Sequence, residues 1–151
     1  MGYRTTLELA PSGGQPAVLI IEDDAAVRDA LSEFLAEEGL TVVGAAEGAE
    51  ALEVLRNGLN PVAIFLDVMM PPMDGWDFRQ RQLSDPKLAK IPTIVISAAG
   101  FSAESVKAQF GDVEYIPKPI SLLALLDALE RRGIRAANRS RTEPVTAPSR
   151  A

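Results

Sequence analysis

The feature that most constrains this chain is a regular alternation of short apolar segments with segments of helical periodicity. Five apolar runs of four or five residues are predicted as strands: 17–21, 41–45, 62–66, 93–96 and 113–116. After each run, apolar residues recur three or four positions apart, the spacing that lines one face of a helix. Alternating strands and helices of this kind predict a parallel sheet that is covered by helices on both faces.

The helical segments have recognisable ends. The first two stop before Gly39 and Gly58, residues that are favoured just after a helix. The third, over residues 75–83, has a less regular apolar pattern, and the fourth is short, over residues 103–110. The last carries a leucine stripe and begins at Ser121, a residue type that caps helix N-termini.

The polarity of the strands predicts their order in the sheet. The first, third and fourth are almost wholly apolar, whereas the second contains Thr41 and the fifth contains Glu114. Fully apolar strands suit the centre of a parallel sheet, so we expect the order 2-1-3-4-5, counted along the chain. This is an α/β, doubly wound, flavodoxin-like arrangement. In such sheets, ligands bind beyond the carboxyl ends of the strands, beside the central switch point.

Composition predicts one domain and excludes several kinds of chemistry. We expect a domain over residues 17–133, a flexible extension over 1–16 and a disordered basic tail over 134–151. The chain has no cysteine and no histidine, which excludes disulfides, thiolate or imidazole metal sites, and histidine acid–base catalysis. Residues 17–133 hold ten basic and nineteen acidic side chains, which argues against nucleic acid as the main ligand. No apolar run is long enough to span a membrane, and we expect a cytoplasmic protein.

Charged and hydroxyl side chains lie at the ends of the predicted strands. Glu22 and Asp23 follow the first strand, Asp67 the third and Ser97 the fourth, while Lys118 lies just beyond the fifth. Carboxylates that converge at one rim cannot all stay ionised without a compensating cation. Mg²⁺ prefers oxygen ligands and uses only a few carboxylates, so the pattern indicates a magnesium site.

Asp67 in the segment "FLDVMMPPMDG" can act as a nucleophile in such a site. A carboxylate that attacks phosphorus forms an acyl phosphate, which is a recognised covalent strategy. Phosphoryl transfer needs charge neutralisation on the transferred oxygens, which Mg²⁺, Lys118, Ser97 and backbone amides could supply. The prolines that follow Asp67 would make the loop rigid, and we expect Gly75 to allow a tight turn.

Over about residues 17–133, the chain resembles the receiver domain of two-component response regulators, the CheY-like family, in its stand-alone form. The resemblance rests on "LIIEDD", "FLDVMMPPMDG", "TIVISAAG" and "YIPKPI", in that order. It implies that Asp67 is the phospho-acceptor and that Lys118 and Ser97 assist the transfer. It also implies Ser97 and Tyr115 as switch residues and a cis peptide bond between Lys118 and Pro119.

The same resemblance implies a ligand set for the metal. Asp23 and Asp67 would bind Mg²⁺ directly, Glu22 through water, and Met69 through its backbone carbonyl. Mn²⁺ would be able to substitute for Mg²⁺. Asp24 would cap the following helix and would not be a ligand.

The implied function is signal transduction in a two-component phosphorelay. A sensor histidine kinase or a histidine phosphotransfer protein would supply the phosphohistidine, since this chain has no histidine. The only catalysis expected is self-catalysed phosphotransfer and autodephosphorylation. The output would pass to a downstream protein through the face formed by the fourth helix, fifth strand and fifth helix. We expect no direct DNA binding and no membrane span, and either a monomer or a phosphorylation-dependent dimer.

Two other functions stay open at this point. One is a receiver-like interaction scaffold that is not phosphorylated, although none of the expected acids, hydroxyl or lysine is missing. The other is an aspartyl-phosphate phosphohydrolase of the haloacid dehalogenase type, in which a second aspartate follows the nucleophile by two residues. Met69 occupies that position here. Taken singly, the candidate residues also have ordinary roles. Glu22, Asp23 and Asp24 are acids of the kind favoured at a helix N-terminus. Asp67, Ser97, Lys118 and Tyr115 have roles in turns, at the surface or in packing.

Overall fold

The strands assemble into one sheet in which every neighbouring pair is parallel. The structure is a computed structural model, and it describes residues 3–4, 16–68, 74–97 and 101–135. Its strands are β1 (Tyr3–Arg4), β2 (Ala17–Ile21), β3 (Thr41–Ala45), β4 (Ala63–Asp67), β5 (Thr93–Ser97) and β6 (Glu114–Pro117). Their order across the sheet is β1-β3-β2-β4-β5-β6.

Helices connect the strands and cover both faces of the sheet. They are α1 (Ala25–Glu37), α2 (Gly48–Arg56), α3 (Gly75–Leu83), α4 (Pro86–Ala89), α5 (Ala103–Phe110) and α6 (Leu122–Arg131). The buried apolar side chains form two clusters, one on each face. Residues of α2, α3, α4 and α5 contribute to one cluster, and residues of α1 and α6 contribute to the other.

The sheet order confirms the predicted fold. With the two-residue β1 set aside, the strands run 2-1-3-4-5 in chain order, as a doubly wound flavodoxin-like sheet does. Every residue of β2, β4 and β5 is buried, whereas β3 and β6 are partly exposed. The almost wholly apolar strands therefore lie at the centre of the sheet, and the two strands that contain polar residues lie on either side of them.

The structure corrects the sequence interpretation in three places. Residues 1–16 were expected to hold no strand, but Tyr3 and Arg4 pair in parallel with Val42 and Val43, and two residues are too few to show periodicity. The single-turn helix α4 was also not predicted, although an aspartate N-cap followed by Pro86 is a typical helix start. Finally, Asp67 and Ser97 are the last residues of their strands and not the first residues after them.

The ends of the chain and two internal segments lie outside the described residues. They include most of the predicted N-terminal extension, the tail from residue 136 onward and the segments 69–73 and 98–100. In the described part of the chain, α1 is the longest helix at 13 residues, and no helix is long and apolar enough to span a bilayer.

Candidate functional site

The predicted site residues lie at the carboxyl edge of the sheet. Glu22 and Asp23 come directly after β2, Asp67 ends β4, Ser97 ends β5, and Lys118 follows β6. The register pairs Ile21 with Leu66 and Asp67 with Ile96, so the ends of the three central strands are level with one another. Parallel pairing therefore brings together residues that are as much as 96 positions apart in the sequence.

Three carboxylates form a cluster that could hold a metal ion. One oxygen each from Glu22, Asp23 and Asp67 lies within 4.8 Å of the other two. Glu22 and Asp67 are 2% and 4% exposed, whereas Asp23 faces solvent. The donors are hard oxygen atoms, which suit a hard divalent cation. Because three acids face one lysine, a bound cation would also balance their charge.

Lys118 bridges the two buried acids of this cluster. Its Nζ lies 3.1 Å from Oε1 of Glu22 and 3.7 Å from Oδ2 of Asp67. Partial burial alone would lower the pKa of Lys118, but the hydrogen bond to Glu22 and the charge of Asp67 raise it above its ordinary value. The side chain is therefore held as an ammonium group. The Lys118–Pro119 peptide bond is cis, as predicted.

The surroundings of Glu22 disfavour its ionised form. Burial, and then the proximity of Asp67, raise its pKa from the ordinary 4.5 to about 7. The Asp24 amide donates to Oε2 of Glu22 at 3.2 Å, and Lys118 also favours the ionised form, but these contacts do not offset the rise. A guanidinium nitrogen of Arg28 donates to the Glu22 carbonyl at 2.7 Å, which holds the backbone here. The contact of Arg28 has no signal in the sequence, because an arginine on an amphipathic helix gives no sign of its partner.

Asp24 caps α1, as expected. Its Oδ1 accepts hydrogen bonds from the Ala26 amide at 2.9 Å and the Val27 amide at 3.3 Å. Two of the four amides that lack partners at the start of a helix are thereby satisfied. Of the three consecutive acids, the first two belong to the carboxylate cluster and the third to the helix.

Gly75 is required by a close approach of backbone segments. It is the first residue of α3, and its amide donates to the Val68 carbonyl at 2.7 Å. A Cβ at this position would lie 2.6 Å from the Asp67 carbonyl oxygen and 2.8 Å from Val68 Cα. The sequence predicts a tight turn at this glycine, whereas the structure shows that it lets α3 begin against the backbone of Asp67.

Ser97 lies on β5, the strand next to β4, and Tyr115 lies on β6, at the edge of the sheet. Ser97 is fully buried, one position beyond the residue that pairs with Asp67. Tyr115 is half-buried, and its hydroxyl donates to the Phe101 carbonyl at 3.1 Å. The metal ligand predicted at Met69 lies outside the described residues.

Comparison with known proteins agrees with the fold described above. The family model of the response regulator receiver domain matches residues 18–130. The chain belongs to this family. It is thus a receiver domain of two-component signalling, as the resemblance of its sequence motifs implied.

The curated relatives of this receiver domain include a response regulator and a transcriptional regulator. Response regulator MprA of Mycobacterium sp. (strain KMS) is 38% identical over 120 residues, covering 76% of this chain and 50% of the relative. The DNA-binding dual master transcriptional regulator RpaA of Synechocystis is 35% identical, covering 78% of this chain and 50% of the relative. The chain therefore spans about half the length of the curated relatives it matches.

Solved structures show the same fold. A receiver protein from Pseudomonas putida has a TM-score of 0.71 and 28% identity, covering 79% of this chain and 98% of that one. The chemotaxis protein CheY4 of Vibrio cholerae has a TM-score of 0.70 and 28% identity, covering 78% and 98%.

Replacing Gly75 by alanine should distort the backbone at Asp67. The added Cβ would meet the Asp67 carbonyl oxygen at 2.6 Å, so the start of α3 or the end of β4 must shift. We expect the free energy of unfolding to fall by about 1–3 kcal/mol, together with shifted amide resonances at Val68. Gly58→Ala is the control, because it strains a backbone with φ of +118° but has open space around the added Cβ. Equal shifts at Val68 in both variants would contradict this explanation.

The raised pKa of Glu22 predicts how stability depends on pH in the absence of divalent metal. Between pH 4.5 and about 7, the folded protein holds a proton on Glu22 that the unfolded chain releases. The free energy of unfolding should therefore fall as pH rises through this interval, by on the order of 1–3 kcal/mol.

Urea unfolding in the presence of EDTA, at a series of pH values, measures this slope. Glu22→Gln cannot ionise, so its profile should lack the fall and lie above that of the wild type at pH 8. Identical pH slopes in the two proteins would show that Glu22 is not the group responsible.

Proposed function

We propose that Asp67 accepts a phosphoryl group from a phosphohistidine, in a Mg²⁺-dependent step that switches a protein-docking face. The observation that carries this proposal is the convergence of two acids and a lysine on Asp67 at the carboxyl edge of the sheet. Membership of the receiver family supports it. We infer a cytoplasmic receiver unit over residues 17–133, flanked by an N-terminal extension and a basic tail.

Each residue has a distinct role in the proposed transfer. A carboxylate oxygen of Asp67 forms the new O–P bond while the N–P bond of the donor breaks, and that bonding pair stays on the imidazole nitrogen. Lys118 Nζ, 3.7 Å from Asp67 Oδ2, would neutralise a phosphoryl oxygen. The Ser97 hydroxyl would donate to another oxygen of the acyl phosphate.

The residues at this edge suit a Mg²⁺ ion, with Mn²⁺ as a substitute. Asp23 and Asp67 would bind it directly, Glu22 through water, and Met69 through its carbonyl. When bound, the ion supplies positive charge for the phosphoryl oxygens, which carry most of the developing charge in such transfers. Proton release from Glu22 would accompany binding near neutral pH, because its pKa is raised to about 7.

A groove beside Lys118 is suited to the phosphoryl donor. It has a volume of about 470 Å³ and lies between the start of α1 and the segment that joins β6 to α6. Its lining is mainly apolar and includes Val27, Leu31, Pro119, Ile120 and Leu122. A helix of a histidine kinase or phosphotransfer protein could bury an apolar face here while bringing its histidine to Asp67.

The output side of the proposed switch is the face formed by α5, β6 and α6. Movement of Ser97 toward the phosphoryl group, with rotation of Tyr115, would alter this face and its affinity for a downstream protein. Ion pairs at 2.9 Å link Glu114 to Arg131 and Arg132, and Arg132 to Asp112, so the face has a defined charge pattern. We infer that output passes through protein contact, by the monomer or by a phosphorylation-dependent dimer.

Labelling with acetyl phosphate tests the function. With Mg²⁺, the wild type should gain one phosphoryl group per chain in intact-mass spectra, and EDTA should prevent the gain. Asp67→Asn should abolish labelling, whereas the control Asp29→Asn, which alters an exposed aspartate on α1, should leave it unchanged. Lys118→Met should lower the rate by about 10²-fold or more, as expected for loss of a charge that stabilises the transition state.

Two outcomes would contradict the proposal, and they have different meanings. Absence of labelling in the wild type would favour the interaction scaffold. Steady turnover of small phosphate esters would favour a phosphohydrolase instead.

A further inference from the structure

A buried arginine lies in the apolar layer between α3 and α5. Arg79 is 4% exposed, and Gln82 and Thr93 beside it are 0% and 1% exposed. The guanidinium donates through Nη1 to Gln82 Oε1 at 2.9 Å and to Thr93 Oγ1 at 3.2 Å. Its Nε donates to the carbonyl oxygen of Phe110 at 2.8 Å. A buried charge is costly unless its donors have partners, and these neutral acceptors bind three of the five N–H groups of the guanidinium.

The contact with Phe110 caps the carboxyl end of α5. Phe110 is the last residue of this helix, and the last four carbonyls of a helix lack partners within it. Arg79 supplies both a donor and a positive charge at the negative end of the helix dipole. The Phe110 ring is also fixed, because Trp76 of α3 packs against it edge to face with ring centroids 5.8 Å apart. Two side chains of α3 thus hold the end of α5.

The amino end of α5 is held differently. Ser102 and Ser105 form a capping box within the segment itself, and Ala103 and Glu104 are exposed. The carbonyl of Phe101, two residues before the helix, accepts the hydrogen bond from the Tyr115 hydroxyl. Only three residues separate Phe101 from Ser97, so both predicted switch residues connect to this end of the helix.

Helix α3, which holds the end of α5, is itself anchored to the core and to the end of β4. Its first residue is in contact with the backbone of Asp67, with the Gly75 amide bonded to the Val68 carbonyl. Phe78 of the same helix is fully buried in the core. The chain therefore links α3 to the proposed phosphorylation site at one end and to the last residue of α5 through Arg79.

We propose that Arg79 is a positioning residue that makes Phe110 the hinge of α5 when the domain switches. On this basis, phosphorylation moves residues 101–106, which include the first turn of α5, while residues 107–111, which include its last turn, stay in place. This inference rests on the proposed function, because it assigns a direction to the conformational response of that site. The altered part of the output face would then be its edge nearest Asp67.

Residue-resolved amide hydrogen exchange, followed by NMR with and without acetyl phosphate and Mg²⁺, tests the hinge. In the wild type, phosphorylation should change exchange rates in the first turn and leave those of the last turn within about twofold. In Arg79→Met, the last turn should exchange about tenfold faster even without phosphate, the effect of losing one hydrogen bond from a charged donor. Phosphorylation should then change rates along the whole helix.

Two matched variants separate the hinge from general loosening. Arg81→Met removes an exposed arginine from the same helix and should behave as the wild type. Gln82→Met disrupts the buried polar cluster but retains the Arg79–Phe110 contact, so its last turn should still be protected. Equal changes in both turns of the wild type would overturn the proposal, as would last-turn rates in Arg79→Met that match those in Gln82→Met.

Failure of the proposed function has a different signature. If the wild type does not react with acetyl phosphate, the proposed phosphorylation of Asp67 is rejected. The role of Phe110 as a hinge during switching is then rejected as well. The unphosphorylated Arg79→Met protein still shows whether Arg79 caps α5. If that variant does not fold, the comparison of the two turns in the wild type decides the question.

Discussion

One electrostatic constraint dominates the candidate site, the crowding of carboxylates at the carboxyl edge of a parallel sheet. Glu22 and Asp67 are buried beside each other, Asp23 lies at their solvent side, and Lys118 contacts both buried acids. A single ammonium group does not balance three carboxylates, and the pKa of Glu22 is raised to about 7, first by burial and then by the proximity of Asp67. In the proposed function, a metal ion would supply the positive charge that this cluster lacks.

The fold makes this crowding possible through local features that keep the backbone in place. Parallel strands bring the ends of β2, β4 and β5 level, and the caps of α1 and α3 turn the chain away from the edge. Gly75 allows α3 to start in direct contact with the Asp67 backbone. The position of the Asp67 carboxylate is thus set by main-chain contacts as well as by its strand.

Much of this arrangement could be predicted from the sequence because it follows from periodicity. Apolar strands alternate with helical segments, so the sheet order and the convergence of Glu22, Asp23, Asp67 and Lys118 could be inferred. Contacts that depend on three-dimensional proximity could not. The two residues of β1 are too few to show periodicity. In the sequence, Gly75 resembles an ordinary turn glycine, because the close approach of its backbone to Asp67 exists only in the folded chain.

The irregular pattern of α3 also has a physical explanation in the structure. Arg79 and Gln82 occupy positions on the buried face of that helix, where an apolar residue would be expected. They interrupt the hydrophobic periodicity because they form the polar contacts between α3, β5 and α5. A polar residue on an otherwise apolar helix face was the only signal that the sequence contained, and it did not indicate the partner.

The most direct test of the account is Mg²⁺ binding measured by isothermal titration calorimetry at pH 8. The account predicts one ion per chain, with affinity reduced at least about tenfold by Asp23→Asn or Asp67→Asn, since each removes a charged ligand. Asp24→Asn is the matched control, because asparagine also caps helices and the residue lies outside the carboxylate cluster. Absence of binding, or an equal loss of affinity in Asp24→Asn, would contradict the central claim.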